Sequence, residues 1–381
     1  MNDVTQHTSW LETIKAFKHP RVVTMLFLGI SAGLPLLLIF SSLSLWLREA
    51  GVERAAVTYF SWAALGYSFK FVWAPLVDTL PVPLLTGFFG RRRAWLLLSQ
   101  SMIMIAIAAM AFIDPATNTL ATMAWAAVLL GFSSATQDIV IDAYRIESAE
   151  TEMQALMSST YIAGYRIGML SAGAGALFLA TYFGSTMGDY QYQAWQITYL
   201  LMAALMLIGV MTTLLIDEPE RNTISTPQSN QHYLGFFLLF VLAVTGFVSS
   251  FYFTADFAVV SKSALTSLVA NSHLAGALVE LYRLMIALAV AAIVAKLLVM
   301  SGLVDGKKVV DTYVEPIHDF FQRYGWSLAW LLLALIGLYR ISDIVLGVIS
   351  NVFYQDLGFT KPEIASVVKT FGLLMTIVGG F

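Results

Sequence analysis

The chain has no cysteine and few charged residues. Only 12% of its 381 residues are Asp, Glu, Lys or Arg, whereas soluble domains carry about 25%. Without cysteine, disulfide scaffolds and thiolate metal centres are excluded, and five scattered histidines form no ligand cluster. The net charge of −3 offers no basic footprint for nucleic acid. We therefore predict no metal, no cofactor and no nucleic-acid partner.

Apolar residues make up 58% of the chain, and its mean hydropathy is +0.75. The polar remainder cannot cover this much apolar surface in water. A bilayer core is crossed by roughly 20 apolar helical residues, and the alternation typical of membrane β-strands is missing. We predict an all-α polytopic membrane protein. The candidate spans are Val22–Trp46, Ala55–Leu76, Ala94–Ile113, Leu120–Ile141, Met153–Tyr182, Trp195–Ile216, Leu234–Val260, Leu274–Leu303, Leu328–Tyr354 and Pro362–Phe381.

Basic residues between the spans predict the orientation. With a cytoplasmic N-terminus, eleven Lys and Arg residues fall in inner loops and four in outer loops. Cytoplasmic loops are the ones enriched in Lys and Arg. We therefore predict a cytoplasmic N-terminus and the bilayer as a partner.

The spans group into segments separated by polar stretches. Ser9 to Glu12 reads as a capping box that opens an amphipathic surface helix ahead of the first span. The final apolar run reaches Phe381 without a flanking charge, so we expect further spans beyond it. The predicted segments are 1–216 (amphipathic helix and six-helix half), 217–233 (cytoplasmic linker), 234–303 (two extra spans), 304–325 (cytoplasmic amphipathic segment) and 326–381 (start of an incomplete second half).

Two short turns repeat each other. Residues 47–54 and 354–361 share the order acidic, apolar, Gly, apolar, polar, basic at an offset of 307 residues. Gly66-Tyr67 likewise recurs as Gly164-Tyr165. Internal repeats are typical of secondary transporters, although chance similarity between short strings also explains such matches.

Two sets of motifs resemble a known family. Asp78 followed by Gly90 and three arginines resembles the loop signature of the major facilitator superfamily. Further strings, in order and spacing, closely resemble the AmpG-type muropeptide permeases. These strings are Ser31–Pro35, Phe69–Leu76, Phe89–Arg93, Ser134–Ala143, Gly164–Leu170 and Lys369–Leu374.

The resemblance implies a helical bundle with alternating access. It implies import of N-acetylglucosaminyl-anhydro-N-acetylmuramyl peptides across the bacterial inner membrane by proton symport, for cell-wall recycling. The chain departs from the pattern in its long spacer before Gly90, its two extra spans and its incomplete second half. Related carriers of acetyl-coenzyme A or a saccharide are an alternative. A membrane-embedded glycan or lipid enzyme is less favoured, because the loops are short and poor in histidine.

Ionisable residues inside spans are costly to insert and therefore mark candidate sites. Asp138 and Asp142 lie one turn apart on span four. Lys70 on span two falls at a depth similar to Asp138, so we predict a Lys70–Asp138 pair that couples proton movement. The alternative is a fixed ion pair that holds the two spans together.

Other intramembrane polar residues are candidates for substrate contact. The guanidinium group of Arg166 or Arg340 can bind a peptide carboxylate in bidentate fashion, although Arg340 and Asp343 can also satisfy each other. The predicted substrate residues are Gln137, Tyr165, Arg166, Arg340, Asp343 and Lys369. The predicted cytoplasmic gate comprises Asp78, Arg91, Arg92, Arg93, Asp142 and Arg145.

Small residues inside the spans have two readings. Gly33, Gly164 and Gly168 allow close helix packing, and a hinge is the alternative. In the extra helices, Glu280 and Arg283 are three residues apart, and we predict that they form a self-contained pair.

Overall fold

The computed structural model describes residues 17–60, 65–117, 120–219, 230–372 and 375. Within these residues the regular structure is helical, apart from one isolated bridge between Thr186 and Asp189. The all-α prediction is therefore confirmed. The predicted capping box, and with it most of the N-terminal amphipathic helix, lies outside the described residues.

Six helical regions follow one another in the first part of the chain. They are α1 Pro20–Glu49, α2 Lys70–Thr79, α3 Arg91–Ala111, α4 Leu120–Ser148, α5 Met153–Tyr182 and α6 Tyr192–Leu215. Five of them, all except α2, are long and apolar enough to cross a membrane. Their mutual contacts form the core, in which α1 packs against α4, α5 and α6, and α3 against α4 and α6.

The second predicted span, Ala55–Leu76, is not one continuous helix. Helices cover Arg54–Tyr59 and Leu65–Ser68, on either side of residues 61–64, which lie outside the described part, and α2 begins after a non-helical Phe69. α2 then continues through Pro75 to Thr79, three residues beyond the predicted end. Apolar composition predicted the segment, but it did not reveal the break at Phe69.

Glycines bring α1 and α5 into backbone contact. A Cβ atom added to Gly33 would lie 2.1 Å from the Tyr165 carbonyl oxygen, and one added to Gly164 would lie 2.0 Å from that of Leu26. Gly29 and Gly168 are equally confined. The four residues form two GxxxG motifs that face each other, an arrangement that allows helix backbones to approach closely. The packing interpretation of these glycines therefore describes this structure.

Both of these helices widen into a π-helical turn. The turn in α1 covers Leu38–Ser42, three residues beyond Pro35, and the turn in α5 covers Ser171–Gly175. The two turns touch, and the Ser42 hydroxyl donates to the Ala172 carbonyl over 2.7 Å. A proline inside a helix removes one backbone donor, and a π-turn is one way in which a helix accommodates such a disruption.

The chain divides into two compact units. The first contains residues 1–224 and 334–381, and the second contains residues 225–333. The predicted boundaries at 217–233, 234–303, 304–325 and 326–381 remain predictions.

The second unit is built on an antiparallel pair of long helices. α7 (Asn230–Phe253) and α8 (Ala255–Val269) both pack on α9 (Ser272–Met300), with a break at Thr254. The predicted span Leu234–Val260 crosses this break, which sequence hydropathy did not show. Arg283 binds Glu280 at 2.9 Å, as predicted. The pair is not self-contained, however, because Arg283 also donates to the Thr254 hydroxyl over 3.1 Å and to the Phe251 carbonyl.

Residues 304–325 contain the predicted amphipathic helix in short pieces, ending with α10 (Glu315–Tyr324). α11 (Trp326–Asp356) follows. A tight turn then leads to a helical segment over residues 361–371, most of it π-helical. This segment packs against the π-turn and the end of α5.

Candidate functional site

One end of the first unit carries a cluster of buried and half-buried charges around Arg92. We call it the arginine end. The Arg92 side chain is only 4% exposed, and it binds Asp78 at 2.7 Å and Glu147 at 2.8 Å. These bonds join the end of α2, the start of α3 and the last turn of α4. A guanidinium that donates to two carboxylates satisfies its own hydrogen-bonding groups without water.

Glu218 completes this cluster from beyond the end of α6. Its two carboxylate oxygens accept from the backbone N–H groups of Arg92 and Arg93, at 2.8 and 3.0 Å. The carboxylate thus satisfies free donors at the start of α3, where negative charge is favoured. Gly90 has φ +84°, and a Cβ there would lie 2.5 Å from the Glu218 side chain. The backbone conformation therefore favours glycine at this position, and a larger residue would also displace the Glu218 side chain.

The remaining arginines of the signature also serve this cluster. Arg91 binds Glu147 and the Asp78 carbonyl, while Arg93 donates to the Thr213 and Leu214 carbonyls of α6. Whether these residues gate transport stays a prediction. Sequence reasoning missed Glu147 and Glu218, although both lie just beyond or at the end of a predicted span, where an acidic residue is a usable signal.

Lys70 is paired with a different carboxylate from the one expected. Its Nζ lies 4.0 Å from Asp142, which also binds Arg145 at 3.2 Å. Asp138, the predicted partner, accepts instead from the Tyr161 hydroxyl at 3.4 Å. Counting residues from the predicted span ends placed Lys70 at the depth of Asp138. In the structure Lys70 lies about one helical turn further along α4, next to Asp142. The break at Phe69 lies immediately before Lys70 and makes such counting inaccurate.

Two aromatic side chains of α5 lie next to these charged residues. The rings of Tyr161 and Tyr165 are 6.0 Å apart, one turn from each other. Arg166 is adjacent and half-buried, and its guanidinium approaches the Met169 sulfur at 3.9 Å. Lys70 and Asp142 are 39% and 47% exposed. Charged and aromatic groups on α2, α4 and α5 thus form one partly open polar cluster between otherwise apolar helices.

Gln137 does not belong to this open cluster. It is fully buried and donates to the Ser31 hydroxyl of α1 over 3.0 Å. A second buried amide, Gln100, accepts from Thr213 over 3.0 Å. In this structure Gln137 therefore contacts α1 inside the six-helix bundle, and its predicted substrate contact stays a prediction.

Three predicted substrate residues have no described side chain. Arg340 lies in α11, Asp343 lies one turn further along, and Lys369 lies in the 361–371 segment. Their positions on these helices are described, but their side chains lie outside the described part. Their roles remain predictions.

The opposite end of the unit, which we call the Glu49 end, contains a second charge cluster. Glu49 is fully buried at the end of α1 and binds Lys361, which is 4% exposed, at 2.8 Å. Ser185 and the Trp195 indole donate to the same carboxylate over 2.8 and 2.7 Å. Burial lowers the pKa of Lys361 from its ordinary value, and the nearby Glu49 carboxylate opposes that change. Sequence reasoning counted Lys361 as a loop residue and assigned no role to Glu49.

Asp356 forms the other part of this cluster. It binds Arg48 at 2.8 Å and Arg54 at 2.5 Å. Partial burial favours the neutral acid, but the hydrogen bonds from Arg48 and Arg54 outweigh it and hold the pKa of Asp356 below its usual value. Both charge clusters therefore lie at the ends of an apolar bundle, with the open polar cluster between them.

Comparison of the sequence with known proteins identifies its family. Residues 25–381 match the profile of the Major Facilitator Superfamily. The chain belongs to that superfamily. This membership confirms the expected all-α membrane bundle. At the level of the superfamily, it indicates transport rather than catalysis.

Individual relatives are more specific. The chain is 30% identical over 369 residues to a protein of Rickettsia conorii named "Putative transporter AmpG 4", covering 96% of this chain and 67% of that protein. It is 31% identical over 367 residues to the "Anhydromuropeptide permease" of Escherichia coli K12, covering 96% of this chain and 55% of that protein. The chain is thus an AmpG-type superfamily member that spans between half and two thirds of the length of these relatives.

Proposed function

We propose that the chain is a secondary active transporter of the bacterial inner membrane that imports anhydro-muropeptides for cell-wall recycling. The open polar cluster of Lys70, Asp142, Asp138 and Tyr161 carries the proposal. Charged groups inside a bilayer are retained where they line a water-filled path or pair with one another. The name of the Escherichia coli relative supports the substrate class.

The carboxylates of the cluster fit proton coupling. Asp142 faces two cations, Lys70 and Arg145, and is nearly half exposed. A carboxylate that binds a proton changes its own charge from −1 to 0 and releases its cationic partner, which couples proton uptake to movement of that partner. Asp138 lies one turn away and bonds to a tyrosine, so it provides a second proton acceptor on the same face.

The aromatic pair and Arg166 fit the other features of the substrate. Tyr161 and Tyr165 expose ring surface that can stack on sugar rings, and Arg166 can hold a peptide carboxylate. The solute is carried unchanged, and the N-terminus faces the cytoplasm as the basic residues indicate.

Uptake of radiolabelled anhydro-muropeptide into vesicles that contain the chain tests this function. We expect uptake driven by an inward proton gradient, and loss of the gradient-driven component in Asp142→Asn. Asp319→Asn, which removes a 63% exposed carboxylate from an exposed ion pair, is the matched control and leaves uptake unchanged. Uptake that ignores the gradient would refute proton coupling, and uptake of acetyl-coenzyme A instead would refute the substrate.

Arg166→Lys tests the carboxylate contact separately. Lysine keeps the charge but lacks the planar fork that binds carboxylate through two parallel hydrogen bonds. We expect a raised KM for a muropeptide with its peptide attached, and an unchanged KM for the same disaccharide without the peptide. Equal KM values for the wild type and the variant with both solutes would contradict the role of Arg166.

A further inference from the structure

The two charge pairs at the Glu49 end are related by the internal repeat. Turn 47–54 ends α1, and turn 354–361 ends α11. At the offset of 307 residues, Glu49 corresponds to Asp356 and Arg54 corresponds to Lys361. In the structure Glu49 binds Lys361 and Arg54 binds Asp356. Each turn therefore gives its carboxylate to the basic residue of the other, the reciprocity expected where two equivalent surfaces meet across a two-fold axis.

The backbones of the two turns share the same geometry. Gly51 and Gly358 also correspond at this offset, and both have left-handed φ values, +84° and +92°. Each glycine lies between the carboxylate and the basic residue of its turn. The repeat that the sequence shows is thus a matched pair of turns in contact, and chance similarity of two short strings does not explain it.

The buried pair is built from two sides. Glu49, Ser185 and Trp195 belong to the six-helix half, and we call them the Glu49 seat. Lys361 enters this seat from the 361–371 segment, where it also donates to the Ser185 carbonyl at 2.7 Å and lies 4.7 Å from the centre of the Trp195 ring. Ser185 and Trp195 donate to one carboxylate oxygen of Glu49, and Lys361 lies closer to the other. The seat therefore holds part of the carboxylate by itself, and the lysine is the part that comes from the other turn.

The energetics of such a pair suit a reversible contact. Two buried charges lose much of their mutual attraction to desolvation, so the net gain from forming the pair is small. Either charge buried without the other is strongly unfavourable. The closed contact is consequently easy to open while both charges are present, and it cannot remain closed when only one is.

We propose that the reciprocal pairs Glu49–Lys361 and Arg54–Asp356 form a latch that closes the Glu49 end of the transporter and opens in each transport cycle. The latch rests on the chain being a transporter, and it is independent of the muropeptide. By the proposed orientation it closes the periplasmic side.

A single cysteine reports on the latch, and the chain offers a cysteine-free background. Ala365→Cys places a thiol at a fully buried position in the segment that carries Lys361. We expect this thiol to react slowly with a charged thiol reagent in the detergent-solubilised chain. Adding Lys361→Met should raise the rate roughly tenfold or more, because the closed state would bury Glu49 without its partner.

The double variant distinguishes a latch from general loss of structure. Combining Glu49→Gln with Lys361→Met removes both charges, so the closed state no longer buries an unpaired one. We expect its labelling rate to return toward the rate of the parent. Lys262→Met, which removes an exposed lysine in α8, leaves the rate unchanged.

Unchanged labelling in Lys361→Met, or equally fast labelling in the single and double variants, would overturn the latch. If Lys361→Met fails to elute as a folded particle, Asp356→Asn makes the same test through the second, more exposed pair. A shift in labelling together with absent muropeptide uptake would refute the proposed substrate and leave the latch in place.

Discussion

Arg92 shows how a single residue organises one end of the bundle. Its side chain is only 4% exposed and binds two carboxylates at once, Asp78 and Glu147. The three arginines at 91–93 look equivalent in the sequence, but the structure gives each a different task. Only Arg92 is buried between two acids, because the first turn of α3 points this residue into the bundle.

We predict that Arg92→Gln destabilises the chain by about 1–3 kcal/mol, because it removes charge-assisted hydrogen bonds at a buried position. The loss is limited because Asp78 and Glu147 are 48% and 33% exposed and Glu147 keeps Arg91 as a partner. Arg323→Gln is the control, because it breaks an exposed ion pair worth about 0–1 kcal/mol. Denaturant unfolding in detergent micelles measures both. Equal losses in the two variants would contradict the importance of burial.

Glycine positions explain how two of the elements meet. α1 and α5 touch through backbone atoms along two facing GxxxG motifs, so their packing has no room for a methyl group. Not every glycine in a helix is confined in this way. Gly337 in α11, for example, has no atom within 4 Å of an added Cβ.

Gly164→Ala should therefore separate α1 from α5 and destabilise the chain by about 1–3 kcal/mol, the usual penalty for overpacking. Gly337→Ala makes the same change in open space and should be neutral or stabilising by up to about 1 kcal/mol, because alanine favours helix. Thermal unfolding of the two variants in the same detergent gives the comparison. A stable Gly164→Ala variant would show that the two helices can shift apart at no cost.

Gly90 and Gly51 allow a second comparison, between two glycines that have the same φ but different surroundings. Both have φ +84°, but an added Cβ meets the Glu218 side chain at Gly90 and empty space at Gly51. We predict that Gly51→Ala loses about 1 kcal/mol to left-handed strain, and that Gly90→Ala loses more because Glu218 leaves the start of α3. Unfolding midpoints of the two variants test this, and similar midpoints would mean that the Glu218 cap contributes nothing.

The first unit has one charge cluster at each end, and the orientation of the chain in the membrane decides which compartment each cluster faces. Single cysteines in the cysteine-free chain test the proposed orientation. An impermeant maleimide applied to spheroplasts should label Glu53→Cys, in the exposed turn after α1, and should not label Gly87→Cys, at an exposed position of the short helix Leu85–Phe89 before α3. After lysis both should react. Labelling of Gly87→Cys alone in intact spheroplasts would reverse the orientation.

The sequence by itself determined the class of molecule and most of its long helices. Hydropathy is a sum over twenty residues, so it tolerates local error, and five of the first six predicted spans are continuous helices long and apolar enough to cross a membrane. The motifs around Asp78 and Gly90 likewise identified the superfamily that similarity later established.

Only the tertiary structure decided which charges pair. Lys70 pairs with Asp142 and not with the predicted Asp138, because the helices are offset by one turn from the predicted depth. Gln137 lies outside the open cluster because it is buried against α1. Glu49 and Lys361 are 312 residues apart. The repeat shows that their two turns are alike, but it does not show that the turns are in contact. Pairing depends on the depth and rotation of each helix against its neighbours, and these are properties of the assembled bundle that no single segment contains.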